Sequence, residues 1–405
     1  MDSISTSESP ETVYFNPWDE AFRANPYPHY RPLLEGPPRI LNLFMRMALV
    51  ARYDHVTLAL RDYERFSSVP PRTPLIEERI KVFGEAPRVL FSDPPVHTRL
   101  RRLVSQAFTP RRIRALEPSI LAMTDRLLDK VAAKGEFEVM EDLANPLPVM
   151  VIAEILGVPH EHYEDFKRWS NAVIEADNTL PGMKLPESVS QSFAALRGYF
   201  AEEIEKRRRQ PGDDLISVLV TAHVENEALT ADELLTFVVL LLLAGNETTT
   251  NLIGNGMLAL GSNPAQLALL RRQPELTPRA IEEMLRYDSP VQSTVRHTKQ
   301  DVEIGGTVIP AQTFVFTIVA AANRDPAQFR NPETFDITRD PNDHLSFGEG
   351  IHYCLGAALA RMEGRIAVGR VLSRFPRLAL AEPLQLAYKG SYFLRGLRAL
   401  PMVIG

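Results

Sequence analysis

A mainly α fold, one large helical domain with a smaller β-rich part, is what this sequence predicts, and three observations predict it. Residues 234–260 form a long, mostly apolar segment that reads as a helix buried nearly all round. In SQSFAALRGYFAEEIEKRRR, Phe193, Leu196, Phe200 and Ile204 recur at three- and four-residue spacing, the stripe of an amphipathic helix. Apolar residues alternate on either side of Gly305 and Gly306 as in a β-hairpin, and the tail from Leu384 has the look of another.

The remaining elements follow in chain order. The 405 residues, 45% hydrophobic and 24% charged, have the balance of a globular protein with ample core material. Residues 1–15, rich in Ser, Thr and Glu, are expected to be disordered, and 16–405 to form a single domain. The start MDSISTSESPETVYF has neither a basic n-region nor an apolar stretch. Prolines then punctuate a helix in NPYPHYRPLLEG, and ALVARYDHVTLALRD reads as a strand followed by a helix. Residues 70–90, proline-rich and without a sustained period, read as a long and therefore functional loop. A net charge of −6 gives no general pull toward nucleic acid or an anionic membrane. The apolar run Phe237–Ala244 is too short to span a bilayer, and one cysteine excludes an internal disulfide, so a cytoplasmic protein is expected.

That cysteine is the pointer to function. Cys354 directly precedes LGAALARMEGRIAVGRVLSRF, a helical pattern, where free N–H groups and the helix dipole favour a thiolate. Gly348 and Gly350 just upstream permit a tight turn close to a bound object. A small buried hydrophobe is the plain reading of a lone cysteine. The chemical readings are a nucleophile paired with His352 or a metal ligand. Residues two apart at a turn make a poor Cys–His pair, and scattered histidines with one cysteine cannot build a structural zinc site. One thiolate is enough for the axial position of a haem.

The stretch HLSFGEGIHYCLGAALARME resembles the haem-ligand signature of the cytochrome P450 family, Phe-Gly-x-Gly-x-His-x-Cys-x-Gly, through Phe347, Gly348, Gly350, His352, Cys354 and Gly356. Other segments match that family in order. LAGNETTT carries Ala244, Gly245, Glu247 and Thr248 in the pattern of its central helix, and EEMLRY carries Glu283 and Arg286 as its Glu-x-x-Arg. His97 and Arg101 in DPPVHTRLRRLVSQAF, Arg296 in PVQSTVRHT and His352 match contacts to the haem propionates. The family's Pro-Glu-Arg-Phe segment reads Pro332-Glu333-Thr334-Phe335 here, so the third member of that network is open, with Arg339 in FDITRD a candidate substitute.

The resemblance implies a P450 fold with haem b (iron protoporphyrin IX) between the long central helix and the Cys354 loop, and a monomeric monooxygenase. Its implied partners are O2, a ferredoxin with its reductase, and a lipophilic small molecule. Cys354 is then the iron ligand, Phe347 packs beside the sulfur, Glu283 and Arg286 are structural, and Ala244 and Gly245 let the helix approach the porphyrin. A thiolate pushes electron density onto iron and favours O–O cleavage. A threonine hydroxyl within a helix bonds the carbonyl four residues back, so Thr248 opens the helix at Ala244, and Glu247 serves as the acid that relays protons. A peroxide-driven peroxygenase and a haem-thiolate sensor stand as alternatives.

For the substrate, Ile76, Val82 and Phe83 of the long loop, with Val173 and Leu241, are expected to line an apolar pocket. Val291, Val295, Phe393 and Leu394 complete it, and Gln292 supplies a polar exception. Arg99, Arg101, Arg102, Arg111, Arg112 and Arg114 form a basic cluster suited to an acidic ferredoxin.

Overall fold

The structure, a computed structural model, describes residues 15–16, 19–42, 46–72, 77, 80, 84–178, 186–224, 227–391 and 393–404. The expected pocket residues Ile76, Val82 and Phe83, and the Val173 side chain, lie outside the described residues, as do the first fourteen positions.

The apolar segment of the sequence is a helix of 32 residues, Ala231–Ser262. It begins where Thr230 accepts from the Glu233 amide while the Glu233 carboxylate accepts from Thr230 N, a reciprocal cap that satisfies two otherwise open donors. Leu234, Val238 and Leu242 pack with Phe166, Phe193 and Phe200 in one apolar cluster. Leu252, Ile253, Met257 and Leu260 pack with Met140, Ile281 and Val368 in another. This helix joins the two cores, and residues 244–250 lie at their junction. By length and composition it could cross a bilayer, but 72% of its most apolar window is buried inside the protein, as befits a core helix.

Helix Glu187–Arg209 buries Phe193, Leu196, Phe200 and Ile204, the stripe expected of it. The described strands are β1 (Arg39–Asn42), β2 (Arg46–Val50), β3 (Phe66–Ser67), β4 (Phe137–Glu138) and β5 (Thr294–Thr298), then β6 (Val302–Ile304), β7 (Thr307–Ile309), β8 (Phe314–Thr317), β9 (Ala379–Leu380) and β10 (Pro401–Val403). The largest sheet runs β1-β2-β8-β5-β3, with β2 and β8 parallel and the other neighbours antiparallel. The hairpin expected around Gly305-Gly306 is β6–β7, with both glycines at positive φ. The tail differs from its expectation. Tyr388 and Leu397 pair as an antiparallel bridge, flanked by Lys389 N donating to Gly396 O and Arg398 N to Ala387 O, but no strand forms there among the described residues, and the last strand β10 joins β4 and β9 instead. Its closing partner is remote in sequence, which local alternation cannot reveal.

Two tertiary joints stand out, one on the central helix and one on helix 277–287. Pro148 has no N–H to give the Ala144 carbonyl four residues back, and Thr250 of the central helix supplies the donor at 2.8 Å. Helix Thr277–Tyr287 carries Glu283 and Arg286, both fully buried. Arg286 donates to Glu283 Oε2 and Oε1 at 2.8 and 2.9 Å, to Asn323 O at 2.9 Å, to Pro332 O at 2.8 Å and to Thr334 O at 3.0 Å. Arg339 Nε donates to Glu283 Oε2 at 3.0 Å, so a residue just past the departure at Thr334–Phe335 faces the glutamate.

Replacing Arg286 by Met leaves Glu283 and three carbonyls underserved, and should lower unfolding free energy by roughly 3–5 kcal/mol. Arg339→Met should cost less, since that side chain reaches the surface. Denaturant unfolding of the two variants checks the order; equal losses would contradict it.

Candidate functional site

The loop before Cys354 is shaped by backbone conformation. Gly348 and Gly350 have φ of 70° and 69°, and a Cβ at Gly350 would stand 3.0 Å from Leu60 O. Cys354 N donates to Phe347 O at 2.8 Å, closing the turn. Helix Ala357–Arg374 starts directly after Gly356, as its pattern predicted. Burial pushes the Cys354 thiol pKa up, while the N–H groups of Gly356 and Ala357 and the cations Arg101 and Arg361 pull it down. Phe347 lies under the Arg361 guanidinium at 4.4 Å, and Arg361 grips both oxygens of Glu282 at 2.8 Å. His344 also meets Glu282, at 3.1 Å, and these partners hold the Glu282 pKa down at about 2 although burial opposes them.

Four donors from separate segments converge nearby. His97 and His352 have ring centroids 4.3 Å apart, and His352 Nε2 meets Ser68 Oγ at 2.9 Å. Arg101 donates to Tyr353 O at 2.7 Å, and Arg296 to Val295 O at 3.0 Å. Burial, then Arg296 and His97, depresses the His352 pKa to about 3; burial also takes Arg296 down to about 10. His97 Nε2 is buried with no hydrogen-bond partner among the described residues. A cluster of mutually repelling donors with one orphaned nitrogen suits two carboxylates, and the propionates of a haem seated on Cys354 supply two. The residues present therefore fit that group: Cys354 would ligate its iron, and His97, Arg101, Arg296 and His352 would hold its propionates.

On the central helix, Leu241, Ala244 and Thr248 share one face and are not fully buried, Ala244 being exposed; Leu243 and Gly245 are also partly uncovered. Thr248 Oγ1 donates to Ala244 O at 2.6 Å, the bond expected of an in-helix threonine. Glu247 is buried on the adjoining face. A Cβ at Gly245 would come 2.5 Å from Ile152 Cδ1, so that glycine admits helix Pro146–Ile155 against the central helix.

Other expected residues fare differently. Val291 bridges Leu394, and Val295 lies on β5 opposite Phe316, whose ring stacks with Phe393. Gln292, expected to orient a polar part of the substrate, has its amide engaged inside the fold: Tyr30 OH donates to it at 3.1 Å and it donates to Ser289 O at 2.7 Å. Arg99 leaves the basic cluster by pairing with buried Glu233, which a charge count along the chain cannot foresee. Glu282, His344 and Arg361 escaped sequence reading because each is an ordinary surface residue until helices 277–287 and 357–374 pack. Glu363 escaped likewise. It is buried on helix Ala357–Arg374, its Oε2 has no partner among the described residues, and burial pushes its pKa up to about 8.

Comparison with known proteins accords with this geometry. The family described as Cytochrome P450 matches residues 38–382. Cytochrome P450 107B1 of Saccharopolyspora erythraea is 42% identical, with 98% of this chain and 99% of that protein covered. The 6-deoxyerythronolide B hydroxylase of the same organism is 40% identical, covering 95% and 97%. The crystal structure of CYP109E1 from Bacillus megaterium in complex with testosterone superposes with a TM-score of 0.85 at 38% identity, covering 94% of this chain and 99% of that one.

Glu363 makes stability depend on pH. Its carboxyl ionises near 4.5 when unfolded and near 8 when folded. The folded state thus holds the extra proton, and the stabilisation is whole below 4.5 and is lost as pH rises toward 8, by about 1.4 kcal/mol per unit. Glu363→Gln should flatten the fall of unfolding free energy from mildly acidic to neutral pH; parallel curves for the two proteins would contradict the burial of a neutral acid.

Proposed function

The chain belongs to the cytochrome P450 family and is a haem-thiolate monooxygenase, and on that premise we propose that it inserts one oxygen atom of O2 into a mostly apolar small molecule, using electrons from a ferredoxin and its reductase. The observation that carries the substrate reading is the open face of the central helix, where Leu241 and Ala244 present carbon beside a single hydroxyl, that of Thr248. Val291, Val295, Phe393 and Leu394 extend that apolar character, and affinity there comes from removing ligand surface from water, at about 25 cal/mol per Å². The relative co-crystallised with testosterone supports a lipophilic ligand class.

When bound, the haem supplies oxygen activation, with electron density contributed by the Cys354 thiolate. The protein's own residues govern the rest. The Gly356 and Ala357 amides hold the sulfur, and the four-donor cradle fixes the group's orientation. Thr248 gives its hydroxyl proton to Ala244 O, so its oxygen lone pairs face the open side and accept from water or substrate. Glu247, one residue before, is the acid that moves protons to that hydroxyl. A peroxide-driven enzyme has no use for such an acid–alcohol pair, because peroxide brings its own protons.

For the electron donor, Arg102, Arg111, Arg112 and Arg114 are exposed on helices Val96–Ser105 and Pro110–Ala115 in a protein of net charge −6. Arg101 of the same stretch reaches the residue before Cys354, so this patch adjoins the thiolate side. The heavily buried central helix supports a soluble protein, and a cytoplasmic location is proposed with it.

Two outcomes are expected. Lipophilic libraries should give the high-spin shift of the ferric haem and be turned over; if only small, highly polar metabolites did so, the apolar pocket would be wrong. Arg102→Glu with Arg112→Glu should slow ferredoxin-driven reduction more at low salt than at high salt. Rates equal at every ionic strength would remove the patch from docking.

A further inference from the structure

Glu282 stands on helix Thr277–Tyr287 beside the buried Glu283, and Arg361 on helix Ala357–Arg374, in the second turn after Cys354. Arg361 Nε and Nη2 donate to the two oxygens of Glu282 at 2.8 Å each, and Nη1 donates to Tyr353 OH at 3.2 Å. All three nitrogens of the guanidinium are thus engaged, and its face lies over the Phe347 ring at 4.4 Å. Glu282 has a second donor. Ser346 N donates to His344 Nδ1 at 3.2 Å, so the ring proton sits on Nε2 and goes to Glu282 Oε2 at 3.1 Å while the imidazole stays neutral. The Phe347 ring lies 5.9 Å from that of His344 and 6.3 Å from that of Tyr353. The pair therefore grips the Cys354 turn on both sides, since Phe347 O accepts from Cys354 N at 2.8 Å and Tyr353 directly precedes the ligand. A solvated ion pair on mobile side chains contributes little, but Arg361 and Glu282 are only 32% and 27% exposed and each is tied to a further partner.

We propose that Glu282 and Arg361 are a positioning pair for the haem thiolate: Arg361 fixes Phe347 and Tyr353 around Cys354, and the balance of its charge against that of Glu282 sets how much electron density the sulfur gives to iron, and with it the midpoint potential of the ferric/ferrous couple. The inference rests on the haem-thiolate reading and goes beyond it, since that reading gives these two residues no role. Positive charge near the sulfur holds electron density there and makes the ferric state easier to reduce; negative charge does the reverse. Both members are charged at neutral pH, with the Glu282 pKa at about 2. The pull of Arg361 on the Cys354 thiol has the same sign, downward against burial.

The test is a redox titration of the substrate-free holoenzyme, with the C–O stretch of its ferrous carbonyl complex as a second readout. Glu282→Gln keeps the shape of the side chain and removes its charge, so the midpoint potential should rise; Arg361→Met should lower it. Each shift should change the ferrous-to-ferric ratio at a fixed potential by roughly threefold or more, tenfold corresponding to about 59 mV for one electron. The carbonyl stretch should move up in the first variant and down in the second, as electron donation through iron weakens and strengthens. Arg361→Lys keeps the charge and should lie nearer the wild-type potential than Arg361→Met, and Glu282→Gln combined with Arg361→Met should return toward the wild type. Arg361→Gln repeats the measurement should the Met variant retain no haem. Single variants that shift in the same direction, as a mere loosening of the two helices would give, overturn the proposal, as do wild-type potentials in both or a Lys variant as low as the Met one. A wild-type ferrous carbonyl complex without the red-shifted band of thiolate ligation would instead sink the haem-thiolate reading.

Discussion

A guanidinium with no exposed atom must find an acceptor for every donor or forfeit several kcal/mol, and Arg286 is such a group. Its acceptors lie in helix 277–287 and in the irregular segment 323–334, so satisfying it pins that segment to the helix. Glu283, on the same face, is held in turn by Arg339 and Asn342 and accepts from Asp336 N. The chain enters the Cys354 loop a few residues later, where Asn323 accepts from Leu345 N and donates to Ser346 Oγ. The thiolate's position is therefore set by a buried ionic network that touches no reacting atom.

The same reasoning explains why the site lies where it does. The central helix is covered by two apolar clusters, one toward each end, and is less covered between them, where Ala244 is exposed and Leu241 and Thr248 lie on the same face. Hydrophobic burial fixes the helix ends firmly, so the middle can carry Thr248 on the open face and Glu247 on a covered one. Near Cys354 four donors crowd together, and burial depresses the pKa values of His352 and Arg296 although Asp93 opposes it.

Much of the fold is legible along the chain. The long apolar helix, the Phe193–Ile204 stripe, the glycine hairpin and the placing of Cys354 ahead of a helix all rest on interactions within a few residues of chain. The convergence of His97, Arg101, Arg296 and His352 is legible only through the family pattern, because four separate segments contribute. Arg99 and Gln292 depart from their expected roles for the converse reason. Each has the chemistry its expected role requires, but Glu233 and Tyr30, distant in sequence, occupy it first.

By itself the sequence determined the family, the haem-thiolate chemistry and the ligand, since a motif of fixed spacing folds into one turn whose glycines and helix start present a single sulfur. Tertiary structure alone decided which charges are paired, that Glu363 is buried as a neutral acid, and that the loop carrying Arg395 and Gly396 lies against Asn255 and Asn251 of the central helix. The physical reason is range: backbone conformation and helix periodicity are set by neighbours along the chain, whereas desolvation and charge pairing depend on groups that only packing brings within a few ångströms.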